Sequence, residues 1–157
     1  GNYAAYCEEF LSNYEQRLLM LTSLFVGTTE LLRSLAQRGM PWGIVTNKAA
    51  RFTEPIVRGL ADLQPAMVVI SGDTLAHAKP HPAPLLEAAR RLAIEPARCL
   101  YVGDDLRDMQ AARAAGMAGM AALWGYMGDA PVNDWGADAL AHQPCDVLAW
   151  VEQRVGV

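Results

Sequence analysis

Three short stretches collect the residues able to handle a charged oxyanion. Gly103-Asp104-Asp105-Leu106-Arg107-Asp108 sets three carboxylates close together, a local negative field that is costly unless a cation offsets it. Hard oxygen donors of this kind suit Mg²⁺, which takes one or two protein carboxylates and completes its shell with water and substrate oxygens. The alternative use of Asp104 or Asp105 is to cap the helix that follows. Thr46-Asn47 offers a hydroxyl, an amide and free backbone N–H groups, which serve either a bound phosphate or a plain helix N-cap. Lys79 stands in Ala78-Lys79-Pro80-His81-Pro82, where the prolines after it stiffen the backbone that presents its ammonium. An ordinary solvated loop lysine is the alternative. His77 and His81 flank it, but His-x-x-x-His in a proline-rich loop is not the helical His-Glu-x-x-His zinc pattern. Both read as structural or surface residues.

The elements that must position these groups are legible from apolar periodicity. Phe10, Leu11, Tyr14, Leu18, Leu21 and Leu24 recur at mostly three- and four-residue intervals, which predicts an amphipathic helix over Tyr3 to Leu24. A second helix carries Leu31, Leu32, Leu35 and Ala36 inward, with Thr28 and Thr29 as N-cap candidates and Gly39 as its stop. Further helices are expected over Thr53 to Leu60, from Pro82 and Pro84 to Leu92, over Asp105 to Ala115, and over Asp146 to Arg154. Pro55 fits the first of these only if it falls in the opening turn. Between them lie Trp42–Val45, Met67–Ile70, Cys99–Val102 and Ala118–Trp124, short apolar runs of buried-strand type. Strands with few polar residues, alternating with helices, predict an α/β fold whose parallel sheet is covered on both faces. Ligands of such sheets gather at the carboxyl ends of the strands, and that is where Thr46, Asn47 and Asp104 fall. Tyr126, Met127 and Trp135, in the glycine-rich stretch after the fourth strand, are candidates to line the entrance or simply to pack.

Hydrophobic residues make up 52% of the 157 and charged residues 19%, the balance of an ordinary folding chain. A formal net charge of -4 gives no electrostatic footprint for nucleic acid or an anionic membrane. Cys7, Cys99 and Cys145 have no CxxC or Cys/His spacing and read as reduced thiols or small core residues. No apolar run approaches a membrane-spanning length, and the start of the chain has no basic or hydrophobic leader pattern. A cytoplasmic protein is expected, a monomer or a homodimer.

Taken in order, Ile44-Val45-Thr46-Asn47-Lys48, Lys79-Pro80-His81-Pro82 and Val102-Gly103-Asp104-Asp105 with Asp108 resemble the second, third and fourth blocks of phosphatases of the haloacid dehalogenase (HAD) superfamily. The wording Val-Thr-Asn-Lys and Lys-Pro-His-Pro looks most like the phosphoglycolate phosphatase branch and related sugar-phosphate phosphatases. The resemblance implies a Rossmann-like core and a small phosphorylated metabolite as substrate. Thr46 and Asn47 would bind the transferring phosphoryl group, and Lys79 would neutralise its charge and orient the nucleophile. Asp104 would be a direct Mg²⁺ ligand, with Asp105 and Asp108 supporting the metal or Lys79. Phosphoryl transfer depends mainly on positioning and on stabilising the equatorial oxygens, which suits these roles.

The family's first block, Asp-x-Asp-Gly-Thr, supplies the aspartate that forms an aspartyl-phosphate and the acid–base that serves it. No Asp-x-Asp occurs in this sequence. By resemblance that block belongs on a central strand between the strands ending at Thr46 and at Asp104. Without it, two inner strands carry N–H and C=O groups that need other partners. The expected organisation is residues 1–24 as the remnant of a helical cap and linker, and 25–157 as the HAD-like core. Two further readings stand beside a phosphatase: a non-catalytic module that binds phosphate or a partner, and a receiver-like α/β domain. Receivers place their acidic cluster before the Thr and Lys, whereas here it comes last.

Overall fold

A computed structural model describes residues 7–8, 23–126 and 128–155. The helix expected over Tyr3 to Leu24, the cap remnant at 1–24 and Met127 therefore lie almost wholly outside the described residues. The rest alternates as the apolar runs require: α1 (Thr28–Gln37), β1 (Ile44–Val45), α2 (Ala50–Gly59), β2 (Val69–Ile70), α3 (Ala83–Leu92), β3 (Leu100–Gly103), α4 (Leu106–Ala114), β4 (Ala118–Ala122), β5 (Ala139–Ala141) and α5 (Pro144–Val155). Every strand pairing is parallel, as the α/β reading expects.

Two helix starts differ from expectation. The N-cap of α1 is Gly27, at φ 89°, with no side-chain cap. Thr28 and Thr29 are both already helical, and Thr29 Oγ1 instead donates to Asp62 Oδ2 at 2.9 Å. Helix α2 begins at Ala50, three residues earlier than Thr53, so Pro55 lies inside the helix rather than in its opening turn. The early start has a tertiary cause, because the Ala50 N–H donates to Asp73 Oδ1 at 2.8 Å, a cap borrowed from the loop after β2. Pro55 has no N–H to return to the carbonyl four residues back, so α2 forgoes one internal bond.

The strands form two sheets, β1-β2 and β3-β4-β5. Among the described residues no ladder joins β1 to β3, the place where the resemblance sets a further strand. Contacts across this break come from side chains, chiefly Tyr101 and Lys79, which reach the Val45 carbonyl. The fifth strand was not expected. It extends the larger sheet beyond β4, with Met120 opposite Ala139 and Ala122 opposite Ala141.

Alternation along β3 sorts the core into two layers. Tyr101 and Cys99 pack with Leu85 and Ala89 of α3 and Ala111 and Ala112 of α4. Leu100 and Val102 face the other way, toward Met120, Leu31 of α1 and Val147 and Trp150 of α5. Period-two side-chain placement thus buries both faces of the sheet, the arrangement that makes its strands uniformly apolar. Small residues let α4 lie close on β4: Gly119 faces the Met109 thioether and the Ala112 methyl. Ala111, Ala112 and Ala121 are fully buried. No helix among the described residues is long and apolar enough to cross a membrane.

Candidate active site

The carboxyl ends of β1 and β3 open into one cleft of about 310 Å³, lined by Thr46, Asn47, Lys48, Lys79, Asp104, Asp105, Arg107, Asp108 and Tyr126. All six residues singled out from the sequence meet here. A slightly larger cleft of about 360 Å³ lies at the end of α3, around Leu86, Ala93 and Ile94. It gathers none of them and has no comparable set of acids and bases, so the smaller cleft is the one that can do chemistry.

Thr46 is set by β1. Its N–H donates to the Ile70 carbonyl at 2.9 Å, and its Oγ1 accepts from the Lys48 N–H at 3.1 Å. That turn uses a lone pair of the hydroxyl and leaves its hydrogen to donate. The Asn47 amide is engaged with the main chain of Lys79 on both sides: Nδ2 donates to the Lys79 carbonyl and Oδ1 accepts the Lys79 N–H, each at 2.9 Å.

The Lys79 ammonium has three hydrogens and three acceptors. It donates to Asp108 Oδ1 at 2.6 Å, to the Tyr101 hydroxyl at 2.8 Å and to the Val45 carbonyl at 3.3 Å. The Lys79 and Asp108 side chains are only 10% and 6% exposed. A charge so sheltered must be paired, and here it is. The Tyr101 hydroxyl in turn donates to the Val45 carbonyl at 3.0 Å. Burial, joined by the negative charges of Asp108 and Asp104, pushes the Tyr101 phenol well above its ordinary 10.0, so it remains a neutral donor.

The three acidic residues do three different things. Asp108 Oδ2 accepts the N–H groups of Asp104 and Asp105 at 3.0 and 3.1 Å, closing a capping box at the start of α4. Asp105 is that helix's N-cap, accepting the Arg107 N–H at 2.8 Å and its guanidinium at 2.9 and 3.3 Å. The Arg107 guanidinium holds the Asp105 carboxyl below its usual range. The capping alternative raised for Asp105 is therefore realised. Asp104 makes no ion pair among the described residues. Its Oδ2 accepts the Tyr126 N–H at 2.7 Å, which leaves Oδ1 open to the cleft. Among the described residues no three His, Cys, Asp or Glu side chains are grouped to hold a metal by protein donors alone.

Two glycines let backbone close on these carboxylates. A Cβ at Gly103 would collide with the Asp108 side chain, and one at Gly125 with that of Asp104. Substitution at either must displace a carboxylate.

A family model described as haloacid dehalogenase-like hydrolase matches residues 2–122, a span that includes every residue above except Gly125 and Tyr126. The chain belongs to the haloacid dehalogenase-like hydrolase family. It is 50% identical over 137 residues to a phosphoglycolate phosphatase of Xanthomonas campestris pv. campestris, covering 87% of this chain and 62% of that protein. It is 38% identical over 143 residues to an N-acetylmuramic acid 6-phosphate phosphatase of Pseudomonas aeruginosa, covering 90% of this chain and 63% of that protein. A crystal structure of a predicted phosphoglycolate phosphatase from Haemophilus somnus superposes with a TM-score of 0.82 at 28% identity, over 87% of this chain and 61% of that one. The chain thus spans about three-fifths of the length of these relatives.

In this haloacid dehalogenase-like chain, three interactions that hold the side chains of the cleft carry no signal in the sequence. Tyr101 carries only a strand signal, although a tyrosine in an otherwise aliphatic run has a hydroxyl that must find a buried partner. The turn of Gly125 and Tyr126 supplies the N–H that holds Asp104, a role no local pattern signals. Arg107 pairs with Asp105, a contact that its place within the acidic stretch does not by itself predict. Trp135 does not line the entrance: it is 2% exposed, packs on Met109 and Ala121, and donates Nε1–H to the Ala130 carbonyl at 3.0 Å. Tyr126 does line the cleft, with its ring edge against Phe25. His77 and His81 stack on each other at 4.3 Å, outside the residues that line the cleft.

Proposed function

We propose that the cleft is the phosphate- and metal-binding half of a phosphatase site that acts on a small phosphate monoester, with phosphoglycolate and sugar phosphates as the substrate class. The observation that carries the reading is that Thr46, Lys79 and Asp104 meet in one cleft at the carboxyl ends of β1 and β3. A phosphoryl group needs a neutral donor and positive charge beside its equatorial oxygens; the Thr46 hydroxyl supplies the first, and Lys79 supplies the second by its charge, since its three hydrogens are held by Asp108, Tyr101 and Val45. The names of the relatives, a phosphoglycolate phosphatase and an N-acetylmuramic acid 6-phosphate phosphatase, support the substrate class.

Mg²⁺ fits the donor set through Asp104, because both oxygens of Asp105 and of Asp108 are already committed to partners and Mg²⁺ accepts a single carboxylate. Asp105 and Asp108 support it indirectly, by fixing the turn that aims Asp104. When bound, the ion would neutralise phosphoryl charge beside Lys79. The attacking carboxylate belongs, by resemblance, to an Asp-x-Asp pair that this sequence does not contain. These residues are therefore assigned to binding, orientation and charge neutralisation.

The test is hydrolysis of phosphoglycolate and N-acetylmuramic acid 6-phosphate with Mg²⁺. This 157-residue chain is expected to show essentially none. Adding an upstream Asp-x-Asp-Gly-Thr strand is expected to create turnover that Lys79→Ala or Asp104→Asn then abolishes. Robust turnover by the unextended chain, or an extended one indifferent to both substitutions, would sink the assignment; an extended chain that binds phosphate but never turns over leaves the binding module.

A further inference from the structure

The Asn47 side chain is tied to another residue of the site through one of its N–H groups and its carbonyl oxygen. Its Nδ2–H and Oδ1 take the carbonyl and the N–H of Lys79, each at 2.9 Å, across 32 positions of sequence. Two reciprocal bonds from one planar amide reproduce the pairing of a strand residue, and they fix distance and orientation together. Lys79 lies in a proline-rich loop outside any ladder, so its backbone groups depend on such a partner.

Asn47 is itself immobilised from behind. A Cβ at Gly72 would collide with the Asn47 carbonyl, so the loop after β2 lies flush against it. That loop is tied down by the Gly72 N–H on the Lys48 carbonyl at 2.8 Å and by Asp73 capping α2. The result is a rigid path from the end of β2 through Asn47 to the Lys79 backbone. It ends at an ammonium whose three acceptors demand a defined starting point for a long, rotamer-rich side chain.

We infer that Asn47 is a positioning residue, whose amide clamps the Lys79 backbone so that the ammonium stands over the phosphate site, and that it acts through Lys79 rather than as a side-chain ligand of phosphate. The inference rests on the phosphate-site reading above. It separates Asn47 from Thr46, its neighbour in sequence, by the job each does.

A double-mutant cycle decides it, with inorganic phosphate titrated into the whole chain in the presence of Mg²⁺ and followed by amide chemical shifts. Asn47→Ala is expected to weaken phosphate binding on the order of tenfold when Lys79 is present, and by less than about twofold in a Lys79→Ala background, because residues that act as a unit are non-additive. Hydrogen exchange at the Lys79 amide should quicken in Asn47→Ala. Asn47→Ser, too short to reach both backbone groups, should behave the same way and serves if the alanine variant folds poorly. Equal losses in both backgrounds would make Asn47 a direct ligand and overturn the inference, as would an unchanged Lys79 exchange rate. Failure of the unsubstituted chain to bind phosphate would instead overturn the phosphate-site reading, and the positioning role with it.

Discussion

Asp108→Ala should be among the most damaging single substitutions in this domain. The carboxylate lies 2.6 Å from the Lys79 ammonium, with the two side chains 6% and 10% exposed, and its second oxygen accepts two backbone N–H groups at the start of α4. Removing one member of a buried ion pair costs about 3–5 kcal/mol, because the remaining charge loses its compensation. Loss of the capping interaction adds about 1 kcal/mol. Against a total stability of roughly 5–15 kcal/mol for a domain, this is a large fraction, and at about 2–4 °C per kcal/mol it lowers Tm by about 10 °C or more. Urea unfolding followed by tryptophan fluorescence measures it, with an unchanged slope as the control that the unfolded state is the same. Adding Lys79→Met removes the ammonium that Asp108→Ala leaves unpaired. Since the dominant cost is an unpaired buried ammonium, the double variant should recover a substantial part of the loss. A cost below about 1 kcal/mol for Asp108→Ala, or a double variant less stable than the single, would refute it.

Two further outcomes test other parts of the structure. Tyr101→Phe removes the hydroxyl that accepts from Lys79 Nζ and donates to Val45, and should cost about 1–2 kcal/mol in the same unfolding assay. Because the folded phenol ionises well above 10.0, the unfolded state loses its proton first. Tyr101 therefore stabilises fully below pH 10 and loses that contribution above it, and Tyr101→Phe should flatten the alkaline limb of a stability profile; an identical limb would count against the buried phenol. On the acid side, hydrogen bonds from Arg90 and then Arg91 lower Glu87 from 4.5 to about 2. A depressed carboxylate stabilises above its unfolded pKa, so this contribution disappears as pH falls from 4.5 toward 2, and Glu87→Gln should reduce the slope across that window by a small amount, since the paired arginines lie at the surface where solvent screens them.

The parts of the fold visible in the sequence were those decided locally. Four apolar runs marked β1 to β4, since buried parallel strands exclude polar residues along their length. Ala139-Leu140-Ala141 escaped because three residues without a β-branched side chain carry no strand signal of their own; β4 makes it a strand. The start of α2 was misplaced for the same kind of reason. Its cap, Asp73, comes from the next loop, and no local pattern ties Asp73 to Ala50. Thr28 and Thr29 look like caps by type, yet Gly27 takes the position because the chain enters with positive φ, which favours glycine. In the site, residue types and strand-end placement located Thr46, Asn47, Lys79, Asp104, Asp105 and Asp108, while their division of labour depended on long-range hydrogen bonds. Tyr101 on Lys79, Tyr126 on Asp104 and Asn47 on the Lys79 backbone each join segments distant in sequence. Trp135 shows the converse: an aromatic residue in a glycine-rich stretch can be an entrance or a plug, and its neighbours Met109 and Ala121 made it a plug.

The claim on which the rest depends is that Thr46, Lys79 and Asp104 form one site for a phosphoryl group and a divalent cation. Calorimetric titration of inorganic phosphate into the chain, with and without Mg²⁺, tests it most directly. Phosphate should bind more tightly when Mg²⁺ is present, Lys79→Ala should remove most of the binding under both conditions, and Asp104→Asn should remove the Mg²⁺ enhancement while sparing the rest. Phosphate binding that is indifferent to Mg²⁺ and unchanged by both substitutions would contradict the account.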